Sequence, residues 1–250
     1  MSALTAIARQ ELTRLFVSPL AWTLLAGTCA LLAWAFLQGV EAYVDAAPRL
    51  EAASAGVTDL VVAPYLSMVA GLLILVVPLL TMRTICEEGR AGTLSLLFAA
   101  GASAPAIVLG KLLGVLGVLM VLLVLLVAMP AALAGATALD WGKLGAGVLG
   151  LAVLATTLAA IGVAASSYAH HPATAAFGAL AVSVFLWIVD SAARARGVTG
   201  ELVNWIALPS HLGGFLRGVV ATVDVAYFVL LAVLALTLAS WRVERLREDG

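Results

Sequence analysis

The 250-residue chain is 64% hydrophobic and 11% charged, with a mean hydropathy of +1.14, whereas soluble domains carry roughly 25% charged residues. A water-soluble fold of this length cannot enclose so much apolar surface, but a bilayer accepts it on the outside of every helix. The net charge of -1 leaves nucleic acid no electrostatic footprint to bind.

The first segment, residues 2–18, is expected to be an interfacial amphipathic helix. Leu4, Ile7, Ala8, Leu12, Leu15 and Phe16 recur at helical spacing, and Arg9, Glu11 and Arg14 supply its charge. It lacks the pattern of a cleaved signal peptide; a frayed polar tail is the competing reading. Six apolar runs long enough to cross about 30 Å of hydrocarbon follow: Pro19–Val40, Leu60–Met82, Ala106–Gly135, Leu144–Tyr168, Ala173–Val189 and Val223–Trp241. The expected fold class is therefore an all-α integral membrane protein forming a single transmembrane domain over residues 1–250. The third run exceeds one crossing, so it tilts, protrudes into water at its start, or ends its regular part at Pro130. Lys111, one turn inside that run, is expected to snorkel to the interface.

An even number of spans puts both termini on one side. Arg9, Arg14, Arg83, Arg90, Lys111, Arg242, Arg245 and Arg247 then share that side, against Arg49, Lys143, Arg194, Arg196 and Arg217 on the other. That bias favours cytoplasmic termini. Outside would lie the loop Glu41–Asp59, a turn at Asp140–Lys143 and the stretch 190–222; inside, the loop 83–105 and a tight turn at Ala169–Pro172. The outer stretch ELVNWIALPSHLGGFLRGVV is apolar yet interrupted at Pro209, Gly213 and Gly214. It reads as a broken re-entrant hairpin that has to pack on protein, or else as an interfacial loop anchored by Trp and Phe. The small-residue spacings Gly110–Gly114, Gly142–Ala146–Gly150 and Gly214–Gly218 allow close helix approach, first of all within the protomer.

Catalytic chemistry finds few residues to run on. The Gly-Lys pairs at Gly110–Lys111 and Gly142–Lys143 lack both the earlier glycine and the following Ser or Thr of a phosphate-cradling loop. His170 and His171 are adjacent rather than four apart, and Cys29 and Cys86 match neither a metal-ligand nor a disulfide framework. No metal site and no catalytic residues are therefore assigned. No intramembrane carboxylate pair offers an ion relay, since Asp190 and Asp224 fall at outer span ends. Such a protein is either passive or receives energy from another subunit. In the loop 83–105, RTICEEGRAGTLSLLFAAGAS, charges precede an apolar run, as in a short amphipathic helix presenting Arg83, Glu87, Glu88 and Arg90 to solvent or to a partner; a plain solvated connector is the alternative.

The run EEGRAGTLSLL followed by IVLGKLLG resembles the loop of ABC transporter permeases of the type-2 export family. VSPLAW, PLLTMR, AAIGVAASSYAHHPATAA and SHLGGFLRGVVATVDVAYF resemble more narrowly its GldF-like branch. One departure is visible: Ala100-Gly101 stands where the family has Ala-Pro. The resemblance implies a multi-pass permease of a bacterial cytoplasmic (inner) membrane, with both termini cytoplasmic. It would pair with a cytoplasmic ABC ATPase subunit that binds ATP and Mg, this chain holding no cofactor itself. It also implies a second permease copy or a related permease, and leaves room for a GldG-like periplasmic subunit. Carried over residue by residue, Arg83, Glu87, Glu88, Arg90, Gly92 and Thr93 become the ATPase contacts of a cytoplasmic coupling helix between spans 2 and 3, with Leu94 and Leu96 on the membrane side. Pro209, Ser210, His211, Phe215, Arg217 and Gly218 fall in the outer re-entrant segment. The alternative is a non-transporting membrane anchor or assembly subunit of an ATPase-driven envelope machine.

Overall fold

A computed structural model describes residues 3–50, 56–195 and 205–248. The described residues are helical or in turns, without strands. Helix α1 (Ala3–Val17) is followed by α2 (Pro19–Leu50), α3 (Ala63–Thr81, entered through a π turn at Thr58–Val62), α4 (Cys86–Ala91) and α5 (Thr93–Ala99). Then come α6 (Ala104–Ala131), α7 (Trp141–Tyr168), α8 (Pro172–Ala195), α9 (Leu208–Leu216) and α10 (Thr222–Glu248).

Six segments are long and apolar enough to cross a membrane: Pro19–Ala46, Thr58–Ala91, Ala104–Gly135, Trp141–Tyr168, Pro172–Val189 and Thr222–Arg247. They match the expected spans in number and order. Phe177 and Trp34, 72% and 65% exposed, belong with Leu31, Phe185, Leu230 and Leu234 to an apolar outer surface that water would not tolerate. The chain is a multi-pass membrane protein. At its centre, α7 packs against α3, α6, α8, α9 and α10. It can do so because it is built of small residues: Leu66 lies against Gly147, Phe215 against Gly150 and Thr81 against Gly162.

Two expectations at the helix ends need correction, and a third is met in one of its forms. The loop expected at Glu41–Asp59 is helical as far as Leu50, because α2 runs on past its apolar stretch through EAYVDAA; residues 51–55 lie outside those described. Hydropathy ends where the hydrocarbon ends, whereas helix propensity does not. Of the alternatives for the third run, an end of regular structure at Pro130 is met: that proline sits in the last turn of α6, before a 3-10 turn at Ala132–Gly135. At the start of α6, Ala104, Ile107, Val108 and Lys111 are buried under neighbouring helices. Finally, Pro209, Gly213 and Gly214 do not break the outer segment. All three lie within α9, Pro209 in the first turn where its missing N–H costs nothing. The chain breaks at Gly218, whose φ of +87° suits glycine. Residues 196–204 of the expected re-entrant stretch lie outside those described.

Candidate functional site

Helix α1, the last turns of α10 and the α4–α5 connection meet at one end of the bundle. Ile7 of α1, Leu94 and Phe98 of α5, Ile107 of α6 and Leu246 of α10 form one apolar cluster there, and the Arg247 guanidinium lies 5.7 Å from the Phe98 ring.

Helix α1 is strapped to α6. Extra carbon atoms at Gly110, Gly114 and Gly117 would fall 2.8 Å from Ile7, 2.7 Å from Glu11 and 2.5 Å from Leu12 respectively. Glycine alone lets the two axes come this close. The close packing expected of Gly110–Gly114 is thus realised within the protomer. At the contact, Lys111 is 1% exposed and donates to Glu11 Oε2 at 3.0 Å and to Glu88 Oε1 at 2.7 Å. Snorkelling would carry the ammonium out past the protein surface; instead it meets two carboxylates inside the chain. Arg14 closes the network. It lies 3.7 Å from Glu11 and 3.8 Å from Glu88, and ion-pairs Glu87, which Arg83 also meets at 3.3 Å. Three acids and three bases from α1, the α3–α4 turn, α4 and α6 thus neutralise one another, which is the condition for burying charge at tolerable cost.

Glu87 and Glu88, expected to face solvent or a partner, are largely occupied inside the chain. Arg90 points away from the network and is exposed. The single amphipathic helix expected here is two short ones, hinged at Gly92 with φ +69°, whose N–H closes α4 on the carbonyls of Glu88 and Gly89. The two leucines expected on one face sit two positions apart within α5 and so point to opposite sides: Leu94 is buried against Ile107, while Leu96 is 66% exposed. Gln10, Arg14, Glu87, Glu88, Thr93, Leu96 and Leu97 line a cleft of about 430 Å³ between α1 and the α4–α5 hinge. Arg9 lies exposed on the outer side of α1.

Sequence reasoning missed Ser166. From α7, its hydroxyl accepts from the N–H groups of Ile85 and Cys86 at 3.1 Å and donates to the Met82 carbonyl at 3.2 Å. A side chain from another helix thus caps α4. Only its place in the run ASSY at the end of a span hinted at this.

At the opposite end, Lys143 binds Asp59 at 2.9 Å, and Asp140 caps α7 by accepting from the Lys143 N–H at 3.0 Å. Buried His211 links α9 to α10: Nδ1 lies 2.7 Å from Asp224 Oδ1 and Nε2 2.9 Å from the Trp205 carbonyl, with the ring stacked on Tyr227 at 4.0 Å. Phe215 is fully buried against α7, while Ser210 and Arg217 are exposed. No group of three or more metal-ligating side chains occurs among the described residues. His170 and His171 lie in the bend before α8.

No curated protein matches the chain. Residues 41–193 match the family model described as ABC-2 family transporter protein. That stretch covers well over half of the sequence, including the α4–α5 hinge and Lys111. With six apolar spans and a membrane-embedded architecture beside that match, the chain belongs to the ABC-2 family of transporter membrane components.

Proposed function

We propose that the chain is a permease subunit driven by a separate cytoplasmic ABC ATPase, which seats on the cleft between α1 and the α4–α5 hinge. The observation that supports this is the buried Lys111 junction. It ties α1 and α4 to the start of α6, so that force applied at the hinge is delivered to a membrane-spanning helix rather than lost in a loose loop. Exposed Leu96 beside Thr93 and the charged cleft offers the mixed apolar and polar surface of a non-obligate interface. ATP and Mg belong to the partner, and coupling requires the hinge to bind two ATPase states with different free energy. In this reading the termini are cytoplasmic, the membrane is the bacterial inner membrane, and a second permease copy or a relative completes the path. Membership of the GldF-like branch, a GldG-like partner and an outer re-entrant hairpin formed around α9 complete the reading.

Glu88 is a poor position for testing it, since its reversal would break the clamp on Lys111. Leu96→Glu leaves every buried contact in place. Native-membrane purification should recover the variant at wild-type yield with roughly tenfold less associated ATPase, the scale of losing one buried leucine. Equal ATPase recovery would remove the cleft as the docking surface.

A second reading, a membrane anchor of an envelope machine that passes no solute, draws on the hydroxyls of the spans. Those of Thr28, Thr81 and Thr157 bond back to the carbonyl one turn earlier, and so line no polar path. Stimulation of ATP hydrolysis by a cargo in reconstituted vesicles separates the two.

A further inference from the structure

On the far side of α4 from the ATPase cleft lies a second hollow of about 270 Å³, between α4, the end of α7 and the last turns of α10. Arg90, Arg242 and His170 line it together with Ser167 and Tyr168, and no acidic residue does among the described residues. Three described carboxylates nearby are engaged elsewhere: Glu87 with Arg14 and Arg83, Glu88 with Lys111, Glu244 with Arg247. Among the described residues neither Arg90 nor Arg242 has an ion-pair partner, and Arg242 Nε is buried without any hydrogen-bond acceptor. Among the described residues, the Arg242 charge meets the Tyr168 ring, 5.8 Å away. Two guanidinium groups lining one concavity, one of them with a buried N–H unsatisfied, suit an anion that accepts several hydrogen bonds. A tetrahedral phosphate oxyanion meets that need, since arginine forks pair with it bidentately.

The setting indicates where such an anion comes from. Trp241, 53% exposed, lies one residue from Arg242 with the Arg245 guanidinium over its ring at 3.6 Å, and Tyr168 is exposed at the end of α7. Exposed aromatics beside arginines at the end of a span mark headgroup depth, where basic pockets between helices take lipid phosphates.

We propose that this hollow is a binding site for a phosphate-type anion, held by Arg90 and Arg242 and supplied by an anionic phospholipid headgroup. The inference does not rest on the ATPase reading, because it concerns the opposite face of α4 and a ligand from the bilayer.

Native mass spectrometry of the detergent-purified full chain tests it, with phosphatidylglycerol, phosphatidylcholine and inorganic phosphate as probes. The wild type should retain phosphatidylglycerol in preference to phosphatidylcholine. Arg242→Gln and Arg90→Gln should each weaken that retention about tenfold, the scale of a charged hydrogen-bond pair, while Arg9→Gln, on exposed α1, should leave it unchanged. Arg90 is exposed, so its variant folds even if that of Arg242 does not. Arg242→Lys keeps the charge but loses the fork and should fall between. Phosphate binding abolished by both glutamine variants, without headgroup preference, would establish the anion site and overturn its lipid source. Retention that is equal for both lipids and unaffected by the glutamine variants, with no phosphate binding, would overturn the site.

Discussion

Replacing Lys111 by methionine removes the cation between Glu11 and Glu88 while keeping the side chain's length and apolar stem. At an effective dielectric of about 20, two unit charges about 3 Å apart attract by roughly 5–6 kcal/mol, but desolvation of each ion cancels several kcal/mol. The intact junction is therefore worth little net. Its disruption is different, because Glu11 is left buried with only Arg14, 3.7 Å away, as counter-charge. Breaking a buried pair from one side costs about 3–5 kcal/mol. The lower end applies here because Arg14 offsets part of the loss and Glu88 is partly open to solvent. About 3 kcal/mol corresponds to roughly a hundredfold shift in the equilibrium between docked and released α1. Protease accessibility of Arg9 and Arg14 in nanodiscs reads that equilibrium directly. The triple variant Lys111→Met, Glu11→Gln, Glu88→Gln should recover most of the docking, because no buried carboxylate is left unpaired and the surplus cation, shared between Arg14 and Arg83 beside Glu87, is open to solvent. Unchanged protection of α1 in Lys111→Met alone would refute the reasoning.

Other sites give independent checks. Gly114→Val should also release α1, since a side chain there collides with Glu11; overpacking costs about 1–3 kcal/mol, visible in the same proteolysis assay. Asp140→Ala removes the cap on α7 and should lower the stability of that helix start by about 1 kcal/mol, seen as faster amide exchange at Lys143. His211→Ala strands the Asp224 carboxylate and frees the Trp205 carbonyl. Hydrogen exchange in α9 should rise tenfold or more, with the α1 end unaffected.

The six spans were legible because a bilayer imposes a run length that composition alone reveals. Their packing was less so. Glu11 and Lys111 are separated by 100 positions, and nothing local in either sequence says that one neutralises the other; a lysine near the end of an apolar run looks the same whether it meets headgroups or a carboxylate. The α4–α5 hinge was found as a loop, but its division at Gly92 escaped notice because one glycine among many carries little signal until a positive φ is seen. Pro209, Gly213 and Gly214 were misread as breaks because the support that tolerates them, α7 with Gly150 facing Phe215, comes from elsewhere in the chain. The family match reaches the hinge but stops short of α1 and α10. The contacts of those helices with the rest were accordingly found only in three dimensions.

The glycine face of α6 also dictates an order of assembly. Ribosomes finish α1 long before the groove that receives it has been synthesised, and two further spans have to enter the bilayer in between. During that interval Glu11 can remain hydrated on a segment resting at the lipid surface. Its dehydration is deferred until α6 arrives with Lys111, so the final latch of the N-terminal half is a late, non-local event.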